Sequence, residues 1–233
     1  MTAREMQITF QQIYESHAGY NLTPLLTDDI QYYLNEAQDK MFMERFVRFE
    51  QNQVVTDELK PFVIKELVIP TQYIVPTFQT TNEIDSAPFA ADHRYLLNHK
   101  SEVLVANSGG VFDFEVDAGP PIKRIANTAP AFIDFTTQVA RNHVSQHDDI
   151  LILLEDPFNK TIATEPLVTI SQDGINVYTN TNFIVDNVVI DYIKEPTEID
   201  LTTPTPSEFP VFLHRDLVEL AVNLYLQFQL EPS

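Results

Sequence analysis

The chain has 233 residues, of which 34 are acidic and 14 basic, so its formal net charge is −20. Such a balance repels phosphate backbones, and among the bases only Lys123 and Arg124 are adjacent, which excludes groove or single-strand nucleic-acid binding of the ordinary kind. There is no cysteine, which excludes disulfides, thiolate metal sites and cysteine nucleophiles.

Hydrophobic residues make up 44%, enough for a sizeable core in one large domain or a domain with an insertion. Met1 to Phe10 lacks the apolar core of a signal peptide, and no run of apolar residues is long enough to span a bilayer as a helix. A protein made in a reducing cytoplasm is expected, with no membrane partner. The sequons at Asn21 and Asn159 then read as chance matches.

Thr2 and Glu5 form a capping-box pattern ahead of a first helix, with Ile8, Phe10, Ile13 and Tyr14 along it to about Ser16. Thr27, followed by Asp28 and Asp29, starts a second helix, since acids in the first turn complement the helix dipole. Ile30, Leu34, Ala37 and Met41 make one stripe on it; Phe42, Phe46 and Phe49 make another. Such a helix either contacts two things, a core and a neighbour, or buries one wide face. A short third helix is expected from Thr56, bounded by Pro61.

From Val63 to Ile69 the pattern is that of a strand, broken by Pro70 and Pro76. Residues 77–92 are polar and read as a long loop of the kind that often carries interactions. Tyr95 to Val105 is a strand; Asn107-Ser108-Gly109-Gly110 is a turn signal; Val111, Phe112, Phe114 and Val116 suggest the return strand, closed by Gly119-Pro120-Pro121. Ile122 to Val139 fits either strands or a short helix, and Gln146 to Leu154 reads as a helix stopped near Pro157.

The clearest hairpin is Leu167–Ile170, Gln172-Asp173-Gly174, then Ile175, Val177 and Tyr178, where Asp-Gly is expected to supply a positive φ. A strand continues from Ile184 to Lys194 with Val188, Ile190 and Tyr192 on one face. Pro196, Pro204, Pro206 and Pro210 make 196–210 a stiff connector. The closing helix carries Leu213, Leu217, Leu220, Ala221, Leu224 and Phe228, widened by Val218, Val222 and Tyr225.

The fold class expected is α+β, with N- and C-terminal helices packed as a bundle around an inserted antiparallel β-rich region. The divisions read are 1–62 for the first helices, 63–195 for the β-rich region with a short helix near 146–154, 196–210 for the connector and 211–233 for the last helix. The closing helix is apolar over a wider face than one core needs. Phe42, Phe46, Phe49, Leu217, Leu220, Leu224 and Phe228 are therefore the candidate assembly residues.

Motifs that would carry chemistry are missing. Gly109-Gly110 has no following Lys-Ser or Lys-Thr, and there is no Gly-x-Ser-x-Gly elbow. His143 and His147 stand four apart but without the intervening Glu of the zinc-protease motif. Asp28-Asp29 and Asp148-Asp149 lie near expected helix starts, where capping explains them. No catalytic, metal or cofactor residue is assigned.

Three stretches taken together carry a resemblance. They are the opening helix pair, from Glu5-Met6-Gln7 to Asp39-Lys40-Met41; Asp156-Pro157-Phe158-Asn159 followed by the Asp173-Gly174 hairpin; and Val189-Ile190-Asp191-Tyr192-Ile193-Lys194-Glu195-Pro196, with Glu208-Phe209-Pro210 and the helix from His214. This layout resembles the head-to-tail connector proteins of tailed phages, the adaptor or ring proteins below the portal, and most of all the ring proteins of crAss-like podoviruses.

The resemblance implies a non-enzymatic virion protein, found in the tail or connector, that forms a homo-oligomeric ring of twelvefold order. Its partners would be the portal protein and other tail or ring proteins, and DNA would meet it only in passage through the channel. A negative lumen would keep that DNA from sticking. Two other readings fit the same sequence. One is a different virion part, a capsid accessory or fibre-attachment protein. The other is a β-rich glycan- or receptor-binding module using tyrosines and acids around 71–95.

Overall fold

A computed structural model describes residues 1–18, 25–52, 54–74, 83–106, 113–115, 122–124, 135–180 and 182–230. In chain order its helices are α1 (Ala3–Ala18), α2 (Thr27–Asn52), α3 (Ile150–Glu155) and α4 (His214–Leu230). The strands are β1 (Val63–Pro70), β2 (Gln72–Ile74), β3 (Glu83–Pro88), β4 (His93–Ala106), β5 (Asp113–Glu115), β6 (Ile122–Arg124), β7 (Phe135–Arg141), β8 (His143–Val144), β9 (Leu167–Ile170), β10 (Gly174–Thr179) and β11 (Phe183–Lys194). Helices and antiparallel sheets together make this an α+β chain. It divides into two compact units, Met1–Val63 with Lys194–Ser233, and Ile64–Ile193.

In the helical unit, α1 starts on a reciprocal cap. The Glu5 amide donates to Thr2 Oγ1 at 3.2 Å, and the Thr2 amide donates to Glu5 Oε2 at 2.8 Å. Its buried face is Ala3, Met6, Phe10 and Tyr14, while Ile8 faces outward. The helical register therefore runs through Met6, not through Ile8 as the apolar count suggested. On α2 both stripes are buried, Ile30 to Met41 and Phe42 to Phe49.

Aromatic rings fill the space beside α2. Phe42 meets Phe62 edge-on at 5.3 Å, and Phe62 meets Phe209 at 4.9 Å. The short helix expected from Thr56 is a turn followed by a 3-10 turn at Lys60–Phe62, which Pro61 opens rather than ends. Proline lacks an N–H and is tolerated at the first helical positions, where that donor has no internal partner.

Residues 196–210 are irregular, with a turn at 201–204 closed by the Asp200–Thr205 bridge, and are fastened to α2 by three amide side chains on one helix face. Leu201 N donates to Gln31 Oε1 at 3.0 Å. Asn35 both donates to Ile199 O at 3.1 Å and accepts from Ile199 N at 2.7 Å. Gln38 donates to Thr197 O at 2.9 Å and accepts from Ser207 Oγ at 2.6 Å. Prolines keep this segment out of a sheet, so the amides at i, i+4 and i+7 do what a neighbouring strand would do. Lys194 and Glu208 close the segment at 2.5 Å, half-sheltered from solvent.

The β unit holds a four-stranded sheet ordered β1-β11-β4-β7 and a five-stranded sheet ordered β2-β3-β10-β9-β8, with β5 and β6 paired separately. One core joins the two larger sheets: Val103, Val185, Val188, Ile190 and Tyr192 from one, Ala87, Val168, Ile175 and Val177 from the other. β11 lies inside its sheet, which explains why Val189 and Ile193 are buried as well as the alternate set. Glu66 holds a positive φ of 53°, and its amide donates to Asp191 Oδ1 at 2.7 Å.

Several expectations are corrected here. Part of the expected loop at 77–92 is β3, antiparallel to both β2 and β10; residues 77–82 lie outside the described residues. Its sequence, Glu-Ile-Asp-Ser-Ala-Pro, hides a strand because Asp85 is buried and Pro88 ends it. The Asp85 carboxylate accepts from Val185 N at 3.0 Å. The strand antiparallel to the 93–106 segment is β7, with Ser101 opposite Ala140, while β5 pairs with β6. The Asn107–Gly110 turn and the Gly119-Pro120-Pro121 closure lie outside the described residues. Helix α3 begins at Ile150, so Asp148 and Asp149 precede it, and Asp149 makes no side-chain cap.

The β9–β10 hairpin stands as read, Ile175 opposite Ile170 and Tyr178 opposite Leu167. The reason for Gly174 differs. No positive φ occurs at Asp173 or Gly174; instead a Cβ on Gly174 would lie 2.3 Å from Ala87 O of β3. The glycine is needed for close approach of the neighbouring strand.

Candidate assembly surfaces

The seven residues chosen from sequence as assembly residues divide by burial. Phe42, Phe46, Phe49 and Leu217 are inside the helical unit, where Phe42 stacks on Phe46 at 6.5 Å and Phe46 meets Phe49 at 6.0 Å. Their apolar surface is already covered within the chain, so they are core and not outer surface. Leu220 and Leu224 are half-buried, and Phe228 is 67% exposed.

Leu224 and Phe228 line a groove of about 460 Å³ between α4 and α2, together with Gln227, Tyr32, Tyr33 and Glu36. The aromatic wall is continuous. Tyr33 meets Tyr32 at 5.1 Å, Tyr225 at 5.2 Å and Phe228 at 6.3 Å, and Tyr225 meets Tyr14 at 5.4 Å. All but the tilted Tyr33–Phe228 pair are edge-on, the arrangement in which aromatic rings attract.

Among the described residues no basic side chain lines the groove. Burial raises the Tyr33 phenol above its ordinary range, and Tyr32, Asp29 and Glu36 add to the shift. Burial likewise raises Tyr225, with Tyr14 and Asp29 contributing. The same acids would favour a cation at the groove. Tyr32 and Tyr33 were missed in the sequence because helical spacing places them outside both apolar stripes; the Tyr-Tyr pair beside acids was the available signal.

The β unit carries a second apolar surface. Phe158 is 92% exposed, and Leu151, Ile152, Val144 and Ile162 are exposed too. A cavity of about 200 Å³ lies beside Phe158, lined also by Leu153, Ile162 and Leu167. Phe158 is held in place by its turn. Asp156 Oδ1 accepts from Phe158 N at 2.8 Å, and Oδ2 accepts from Asn159 Nδ2 at 2.7 Å. The Phe158 amide and the Asn159 side chain hold the Asp156 carboxyl below its ordinary range. Lys160 follows, exposed.

The two histidines four apart are not on a helix. His143 lies on β8 and pairs with Glu165 at 3.2 Å; His147 Nε2 sits 3.2 Å from Ile170 O. Among the described residues no group of three or more His, Asp or Glu is arranged to hold a metal ion, and no helix is long and apolar enough to cross a membrane. No family model matches the chain, and no curated protein is similar to it at a significant level.

Proposed function

We propose that this chain is a virion structural protein, a subunit of a head-to-tail connector ring joining portal to tail and lining the DNA channel, with no catalytic role. The observation that supports this most is a pair of exposed apolar surfaces on different units, the α2–α4 groove and the Phe158 turn. A ring subunit needs two unlike surfaces, because each copy must meet its neighbour head to tail. Exposed aromatic and apolar side chains beside covered ones mark interaction sites on a soluble chain.

Acidity supports the same reading. With a net charge of −20, a channel wall built from this chain would repel passing DNA. Both ends of the chain contribute to the helical unit, as the resemblance implies for a subunit with an inserted β region.

Native mass spectrometry of the chain, alone and with its portal protein, tests the reading. A ring whose copy number matches the portal, expected to be twelve, is the predicted result. A monomer indifferent to the portal would overturn it and favour the glycan- or receptor-binding reading instead.

A further inference from the structure

The two exposed surfaces are complementary to each other. One is a projecting aromatic ring followed by a cation, Phe158 and Lys160, on a turn fixed by Asp156. The other is a concave aromatic groove bearing Glu36 and no base. Resting on the ring reading above, we infer that Phe158 and Lys160 of one copy dock in the α2–α4 groove of the next copy. The phenyl ring packs against Tyr32, Tyr33, Leu224 and Phe228, and the Lys160 ammonium faces Glu36.

Three considerations point to a second copy as the occupant. First, shape: an exposed ring on a hydrogen-bonded turn meets a concave aromatic wall, and aromatic pairs add to simple burial. Second, charge: copies carrying −20 each repel, so self-association needs a place where one of the 14 bases meets an acid. Lys160 and Glu36 provide it, while Asp156 beside Lys160 is already bonded within its own turn. Third, symmetry: turn and groove are different surfaces, so the contact can pass head to tail from copy to copy and makes a ring where the rotation closes, whereas a reciprocal pair would stop at a dimer.

The absence of cysteine makes the test specific. Glu36→Cys and Lys160→Cys chains are prepared separately, mixed, and treated with a short bifunctional thiol cross-linker, free and with the portal protein. A cross-linked dimer in the mixture, and in neither variant alone, is expected. The double variant is expected to give a ladder of multimers. Phe158→Ala, which removes only exposed surface, should keep the fold by circular dichroism while weakening self-association by about 10-fold or more, the loss of one buried aromatic side chain.

Cross-linking within one single variant would show a self-paired contact and overturn the inference. So would cross-linking of Glu36→Cys to the portal alone, or no product at all. If native mass spectrometry shows the ring while the mixture gives no product, only this contact falls. If neither ring nor product forms, the ring reading falls with it.

Discussion

Gln38 is the residue on which the irregular segment before α4 most depends. It is 3% exposed, its amide donates to Thr197 O at 2.9 Å, and its carbonyl accepts from Ser207 Oγ at 2.6 Å. Gln38→Ala removes both bonds at once. The Ser207 hydroxyl still accepts from Phe209 N at 3.3 Å, but its proton loses its acceptor in a site that is 5% exposed. Thr197 O loses its side-chain donor. Thr197 is exposed, so water replaces that donor, whereas the stranded Ser207 hydroxyl costs about 1–3 kcal/mol. At about 2–4 °C per kcal/mol for a chain of this size, the melting temperature should fall by roughly 2–12 °C. Thermal and urea denaturation by circular dichroism measure it. Ser207→Ala should cost a similar amount, because it leaves the Gln38 carbonyl and the buried Phe209 amide without that hydroxyl, and the double variant should cost less than the sum of the two. A Gln38→Ala loss below about 0.5 kcal/mol, or strict additivity with Ser207→Ala, would refute the claim that this amide fastens the segment.

Gly174→Ala should destabilise the β unit by about 1–3 kcal/mol or more, since the new Cβ would sit 2.3 Å from Ala87 O and backbone must move; a neutral result in urea denaturation would place the β3–β10 approach elsewhere. Tyr192 donates to Asp92 Oδ1 at 2.9 Å and, through burial first and that carboxylate second, is pushed up to about 12. Its raised value means the neutral phenol favours the folded state. That contribution is complete below the ordinary value of 10.0 and is lost as pH rises through about 12, so Tyr192→Phe should remove the latest step in phenolate absorbance. His214 is buried, with Nε2 2.6 Å from Phe209 O and Nδ1 2.8 Å from the Met1 amino group. Burial lowers it from its ordinary 6.5, so folding favours the neutral ring. The helical unit should keep that stability above pH 6.5 and lose it as pH falls through the lowered value, and His214→Gln should flatten the stability profile below that pH.

What was readable in the sequence is what short-range physics sets. The Thr2–Glu5 cap, the acid-led start of α2, the β9–β10 hairpin and the long apolar strand to Lys194 follow from spacing and side-chain chemistry within a few residues. The α+β class follows from their order. Tertiary structure decided the rest, because partners distant in sequence fix it. β3 is a strand since β2 and β10 flank it, despite a polar sequence. Gly174 matters because β3 passes close by, not because of its own turn. Phe42 became core because Phe62, itself packed on Phe209, arrives from elsewhere in the chain to meet it. The same packing left Tyr32, Tyr33, Leu224 and Phe228 around an open groove. Periodicity marks which side chains are apolar; which of them stay uncovered depends on what the fold brings against them, and that no local pattern records.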